Sequence, residues 1–142
     1  MYKKIFVPID INQASSWELA LPKAINIAKS DDAKLILFTV VPDFGMAMVG
    51  SFFPRDYAEK AMVHAEHELN AVARNHVPNG VDVKCYVRHG TIYKEINRTA
   101  NKLGADLIVL ASHRPETADF LLGPNAARVV RHARQSVFVV RD

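Results

Sequence analysis

Apolar residues along the chain fall into two kinds of stretch. Five runs are nearly continuous or tightly alternating: KKIFVPID (3–10), KLILFTVV (34–41), VDVKCYVR (81–88), ADLIVLAS (105–112) and SVFVVR (136–141). Short apolar runs rich in β-branched residues read as strands, and the continuous ones as strands covered on both faces. Between them, apolar positions recur at helical spacing. Leu19, Ala20, Ile25, Ile27 and Ala28 mark a helix over about 15–30, with a kink expected at Pro22. Tyr57, Ala61, Ala65, Leu69, Val72 and Ala73 mark a long helix reaching about His76. VPNG (77–80) is a turn. A third helix runs from Thr91 to Leu103 and is closed by Gly104, a good left-handed C-terminal residue. A fourth begins near Gly123 or Pro124 and reaches about Ala133.

Strand and helix therefore alternate from end to end. That alternation predicts an α/β fold: an open, doubly wound, Rossmann-like sheet of five mainly parallel strands, with helices on both faces. The expected strand order is 3-2-1-4-5. In such sheets ligands bind beyond the strand C-termini, where the order reverses. The rule selects Pro8 to Asp10 after the first strand and Ala111 onward after the fourth. Residues 42–54, PDFGMAMVGSFFP, break the rhythm: Pro and Gly punctuate a segment unusually apolar for a loop. It reads as a partner surface or as a flap packed on its own domain.

With 142 residues and no internal repeat or linker, the chain reads as one domain over 1–142. Its composition, 49% hydrophobic and 23% charged, is that of a soluble globular protein. Asp10 ends the first apolar run too early for a signal peptide, and no stretch has the length of a membrane span. Cys85, the single cysteine, has no disulfide partner within the chain. A cytoplasmic location is the expectation. The net charge of +3 is spread along the sequence except at Arg128, Arg131 and Arg134. It hints at an anionic ligand; without clustered cations and exposed aromatics, nucleic acid is not an expected partner.

Candidate chemistry gathers at the two strand ends. Asp10 can accept hydrogen bonds from ribose hydroxyls or join a magnesium shell with phosphates. An Asx-type turn or helix cap is the equally weighted alternative. Ser112, His113 and Arg114 offer a hydroxyl, an imidazole and a guanidinium suited to phosphate oxygens. Gly123 and Asn125 open a helix whose free N–H groups attract anions, although Pro124 there also fits an ordinary helix start. Neither GxxxxGK[ST] nor GxGxxG is present, and no serine sits in a GxSxG elbow. His64 and His67, beside Glu66 and Glu68, match no zinc spacing and read as a solvated helix face. Cys85 reads as core packing.

VPID in the first strand, V-V closing the second, and HRPETADFLLGPNAARVVRHARQSVFVV at the end together resemble the universal stress protein family, in its bacterial F/G-like branch. The resemblance spans nearly the full length. It implies an open α/β sheet, a homodimer formed through the last strand (136–140), and binding of ATP or another adenine nucleotide with magnesium. The family's usual signature is G-x2-G-x9-G-[ST]. Here Ala111 and Arg114 replace its first two glycines, the spacing to Gly123 is one residue short, and Pro124 replaces the hydroxyl residue. By position, Pro8 and Asp10 match the first-strand end of the nucleotide site, and Val40 matches a position whose backbone meets adenine. Ala111, Ser112, His113, Arg114, Gly123, Asn125 and Ala126 match its ribose–phosphate side. Arg114 can supply by charge what the missing loop N–H groups do not. The implied function is a stress-response protein acting by regulation or association, with a nucleotide-independent dimeric interaction module as the alternative. No base is paired with a Walker-type lysine, so efficient turnover is not expected, only slow ATP hydrolysis or autophosphorylation.

Overall fold

A computed structural model describes residues 1–42, 56–112 and 123–141. Among them the strands are β1 (Lys4–Pro8), β2 (Lys34–Pro42), β3 (Val83–Gly90), β4 (Leu107–Ser112) and β5 (Ser136–Arg141). The helices are α1 (Ala20–Asp31), α2 (Tyr57–His76), α3 (Ile92–Lys102) and α4 (Gly123–His132). All strand pairs are parallel, as the alternation predicts, and the order is β3-β2-β1-β4-β5, as expected. The order reverses at β1, between β2 and β4, so their C-terminal ends define the crevice of a doubly wound sheet.

Side chains leave each central strand alternately to the two faces, and each face has its own core. Ile5, Val7, Leu35, Leu37, Leu107 and Val109 meet the small, buried stripe of α1 (Ala20, Leu21, Ala24, Ala28) and of α2 (Ala65, Leu69, Ala73). Phe6, Ile36, Phe38, Ile108 and Leu110 meet Ile96 and Ala100 of α3 and Ala126 and Val129 of α4. Phe6 and Phe38 pack with ring centroids 4.9 Å apart. The result is three layers, with α1 and α2 below the sheet and α3 and α4 above it.

Element ends differ from expectation where local chemistry intervenes. Residues 15–19 do not join α1: Ala14–Ser16 form a separate 3-10 turn, and the α-helix starts at Ala20. Pro22 consequently falls in the first turn, where its missing N–H is of little consequence, and no kink is needed. The third strand starts at Val83 and extends through Gly90, two residues later at each end than expected. Gly104 is left-handed, with φ +71°, as expected after α3. Helix α1 ends on a less usual residue, Asp32, at φ 52°. Its neighbour Ala33 closes the turn by donating its N–H to Ala28 C=O at 2.9 Å. At the start of β1, the Asp106 carboxylate accepts the N–H groups of Lys3 and Lys4 at 2.9 and 3.0 Å, which locks β1 against β4. The apolar 42–54 segment lies outside the described residues beyond Pro42.

Candidate functional site

The loop after β1 is built on Asp10, which is 2% exposed. Its N–H donates to Ser16 Oγ at 2.9 Å, and the Ser16 hydroxyl donates back to Asp10 C=O at 3.1 Å. Gln13 N–H donates to the same carbonyl at 3.0 Å, and Asn12 N–H to Asp10 Oδ1 at 3.0 Å. The carboxylate thus forms the Asx-type turn that was one of its two expected roles. Ser16, fully buried, pins the strand end to the 3-10 turn.

That pinned loop forms one wall of a cavity of about 390 Å³ at the C-terminal ends of β1, β2 and β3. Asp10, Asn12 and Gln13 line it from the loop, Val40 and Val41 from β2, and His89 from the end of β3. Helix α2 closes the far side with Tyr57, Ala58, Ala61, His64 and Ala65. The apolar walls are mostly small or aliphatic, from Ile11, Val40, Val41, Pro42, Ala58, Ala61 and Ala65, with the Tyr57 ring beside them, surfaces against which a flat ring can lie. The polar groups are few and converge from three elements, the arrangement expected of a small-molecule pocket. A larger open groove of about 1020 Å³ runs along the outer edge of β3 and α2, away from the strand C-termini.

Of the residues singled out from sequence, Asp10 and Val40 share this cavity. Pro8 ends β1 and, with Val40, borders a narrow crevice on the α3 side. Ala111 and Ser112 end β4, which lies beside β1 and brings them to the same edge of the sheet. Gly123, Asn125 and Ala126 open α4; Ala126 is buried in the upper core. His113 and Arg114 lie outside the described residues. Asn12, Gln13, Tyr57 and His89 were not singled out, and His64 had been read as part of a solvated face. His89 stands at the C-terminal end of β3, an edge strand away from the reversal point, so the rule that selects Asp10 does not reach it.

Among the described residues, no group of three or more His, Cys, Asp or Glu side chains could hold a metal ion. Among the described residues that line the cavity, Asp10 is the one carboxylate. Cys85, half-buried on β3, directs Sγ at Leu69 C=O at 3.8 Å. Burial, aided by the Glu66 carboxylate, pushes its thiol pKa from 9.0 up to about 11. It packs, as expected, and is not an activated nucleophile.

A parallel sheet in the order 3-2-1-4-5, covered on both faces and carrying a pocket at the C-terminal ends of its strands, defines a doubly wound α/β protein. The sequence model of the Universal stress protein family matches residues 1–141, and the chain belongs to that family. Universal stress protein G of Shigella flexneri is 33% identical over 143 residues, covering 99% of this chain and all of that one. Among solved structures, the hypothetical protein MJ0577 is 24% identical with a TM-score of 0.74, covering 100% of this chain and 97% of that chain. A universal stress protein in complex with cAMP is 22% identical with a TM-score of 0.60, covering 99% of this chain and 97% of that chain.

Proposed function

We propose that this protein binds ATP or another adenine nucleotide, carried with magnesium, and acts in a cytoplasmic stress response by regulation or association. The observation that carries the reading is the 390 Å³ cavity joining Asp10 and Val40 at the C-terminal ends of β1, β2 and β3, next to the reversal of strand order between β1 and β4. Its small aliphatic walls, with the Tyr57 ring beside them, suit a purine, and the loop amides and imidazoles around it suit the edges of a base or ribose. Pro8 and the β4 end, Ala111 and Ser112, continue the site toward the phosphates, where His113, Arg114 and the Gly123–Asn125–Ala126 helix start supply anion contacts. The related fold in complex with cAMP supports an adenine nucleotide as a ligand this architecture can hold. Thermal unfolding with and without millimolar nucleotide tests the reading. ATP with magnesium raises the midpoint by several degrees, because a ligand at a hundred times its Kd adds about 2.7 kcal/mol. An unchanged midpoint with ATP, ADP and AMP alike refutes it.

A second reading, a dimeric interaction module indifferent to nucleotide, rests on β5. This strand is an edge of the sheet and exposes Phe138 to 38%. Pairing with β5 of a second copy would cover that edge.

A further inference from the structure

The two helical layers carry very different charge. Along α1 and α2, Lys23, Lys29, Lys60 and Arg74 are matched by Asp31, Glu59, Glu66 and Glu68. Along α3 and α4, Lys94, Arg98, Lys102, Arg128 and Arg131 stand against Glu95 alone, and Arg134 follows directly after α4. All six cations are exposed. Glu95 is 7% exposed and already held by Arg98 at 3.0 Å. Among the helices, the positive excess thus sits on the α3–α4 face, brought together from separate sequence segments.

That face is continuous. The Arg128 guanidinium lies 5.5 Å from the Tyr93 ring centroid, and His132 stacks on the same ring at 5.7 Å. Gln135 Nε2 donates to Asn101 Oδ1 at 2.6 Å, fastening the end of α4 to α3. Successive cations on α3 are four residues apart, about 6 Å of helix rise, and those from Arg128 to Arg131 are three apart, about 4.5 Å. Two adjoining rows of cations at such intervals match a repeating anion better than a single one.

The chemistry between the cations selects the kind of polyanion. Among the described residues of α3 and α4, Val130, 47% exposed, is the one large hydrophobic residue strongly exposed. A protein partner would need a desolvated apolar or aromatic anchor, and a bilayer would be held better with apolar side chains to insert. Nucleic-acid contacts, by contrast, are polar and strongly positive. Tyr93 is occupied by Arg128 and His132, so the face offers no bare stacking ring for reading bases. We propose that the α3–α4 face binds the phosphate backbone of a nucleic-acid strand without regard to sequence.

Fluorescence anisotropy of the intact protein with a labelled single-stranded oligonucleotide of about twenty residues, across a range of salt from about 50 mM, tests this. Binding is expected at low salt and should fall linearly on a logarithmic salt axis, by about 0.7 per phosphate neutralised. The variant Lys94→Gln/Lys102→Gln/Arg131→Gln/Arg134→Gln should bind about tenfold or more weakly with a shallower slope, while Lys23→Gln/Lys29→Gln on the opposite layer should bind as wild type. Circular dichroism of both variants should match wild type, since every altered side chain is exposed. Absence of binding at low salt overturns the proposal. So do equal losses in both variants, or retention by anionic vesicles with none by the oligonucleotide.

Discussion

Asp10 leaves β1 with its backbone N–H held by Ser16 Oγ, its carbonyl held by Ser16 and Gln13, and its carboxylate holding Asn12 N–H. The position of this residue was legible from the strand that precedes it. Its partner Ser16 was not, because a hydroxyl six residues on becomes a clip only once the 3-10 turn brings it back. Ser16→Ala takes the Oγ acceptor from the buried Asp10 N–H, and should lower stability by about 1–3 kcal/mol, read as a reduced urea midpoint with an unchanged m-value. Cys85 gives a prediction of the opposite sort. Burial favours its neutral thiol, so the folded protein holds that proton more tightly than the unfolded chain does. The resulting stability is complete below pH 9.0 and is lost as pH rises toward about 11. Iodoacetamide should therefore modify folded protein near pH 8 far more slowly than urea-unfolded protein, with the folded rate still climbing above pH 9. Equal rates at pH 8 would contradict the raised pKa.

At the scale of elements, the junction between β3 and α3 depends on Gly90, at φ +146°. A Cβ there would lie 3.2 Å from Glu95 Cγ, on a side chain fixed by its own burial and by Arg98. Gly90→Ala should cost about 1–3 kcal/mol, measured by chemical unfolding, and a neutral result would show that the junction relaxes freely. Helix and strand identities followed from period, because amphipathic stripes and continuous apolar runs are properties of the chain itself. Boundaries did not follow so well. Nothing periodic separates the 3-10 turn at Ala14–Ser16 from α1. Likewise, β3 is prolonged to Gly90 by pairing with β2, a partner distant in sequence. The cavity was legible by half: Asp10 follows from the C-terminal rule and Val40 from the family resemblance, whereas His89 escaped both, and Tyr57, Ala61 and His64 depend on where α2 docks.

Across the whole molecule, the parallel sheet and its two helical layers follow from regular alternation, whereas the order 3-2-1-4-5, one of two common for such sheets, is an expectation of the Rossmann-like fold that the sheet meets. Charge distribution was hidden, because Lys94, Arg98 and Lys102 lie far in sequence from Arg128 and Arg131 and meet only when α3 packs on α4. Association also belongs to this scale. If β5 pairs between copies, Phe138→Lys should shift sedimentation from dimer toward monomer, and an unchanged profile would move any interface elsewhere. The central claim is that the crevice beside Asp10 and Val40 holds an adenine nucleotide. Calorimetric titration of ATP with magnesium into wild type and into Ala61→Phe, which fills that cavity from α2, tests it most directly. The account predicts saturable heat in wild type that falls at least about tenfold in affinity in the folded variant, a loss of about 1.4 kcal/mol. Saturable binding of equal strength in both, or no heat from wild type at millimolar nucleotide, would contradict it.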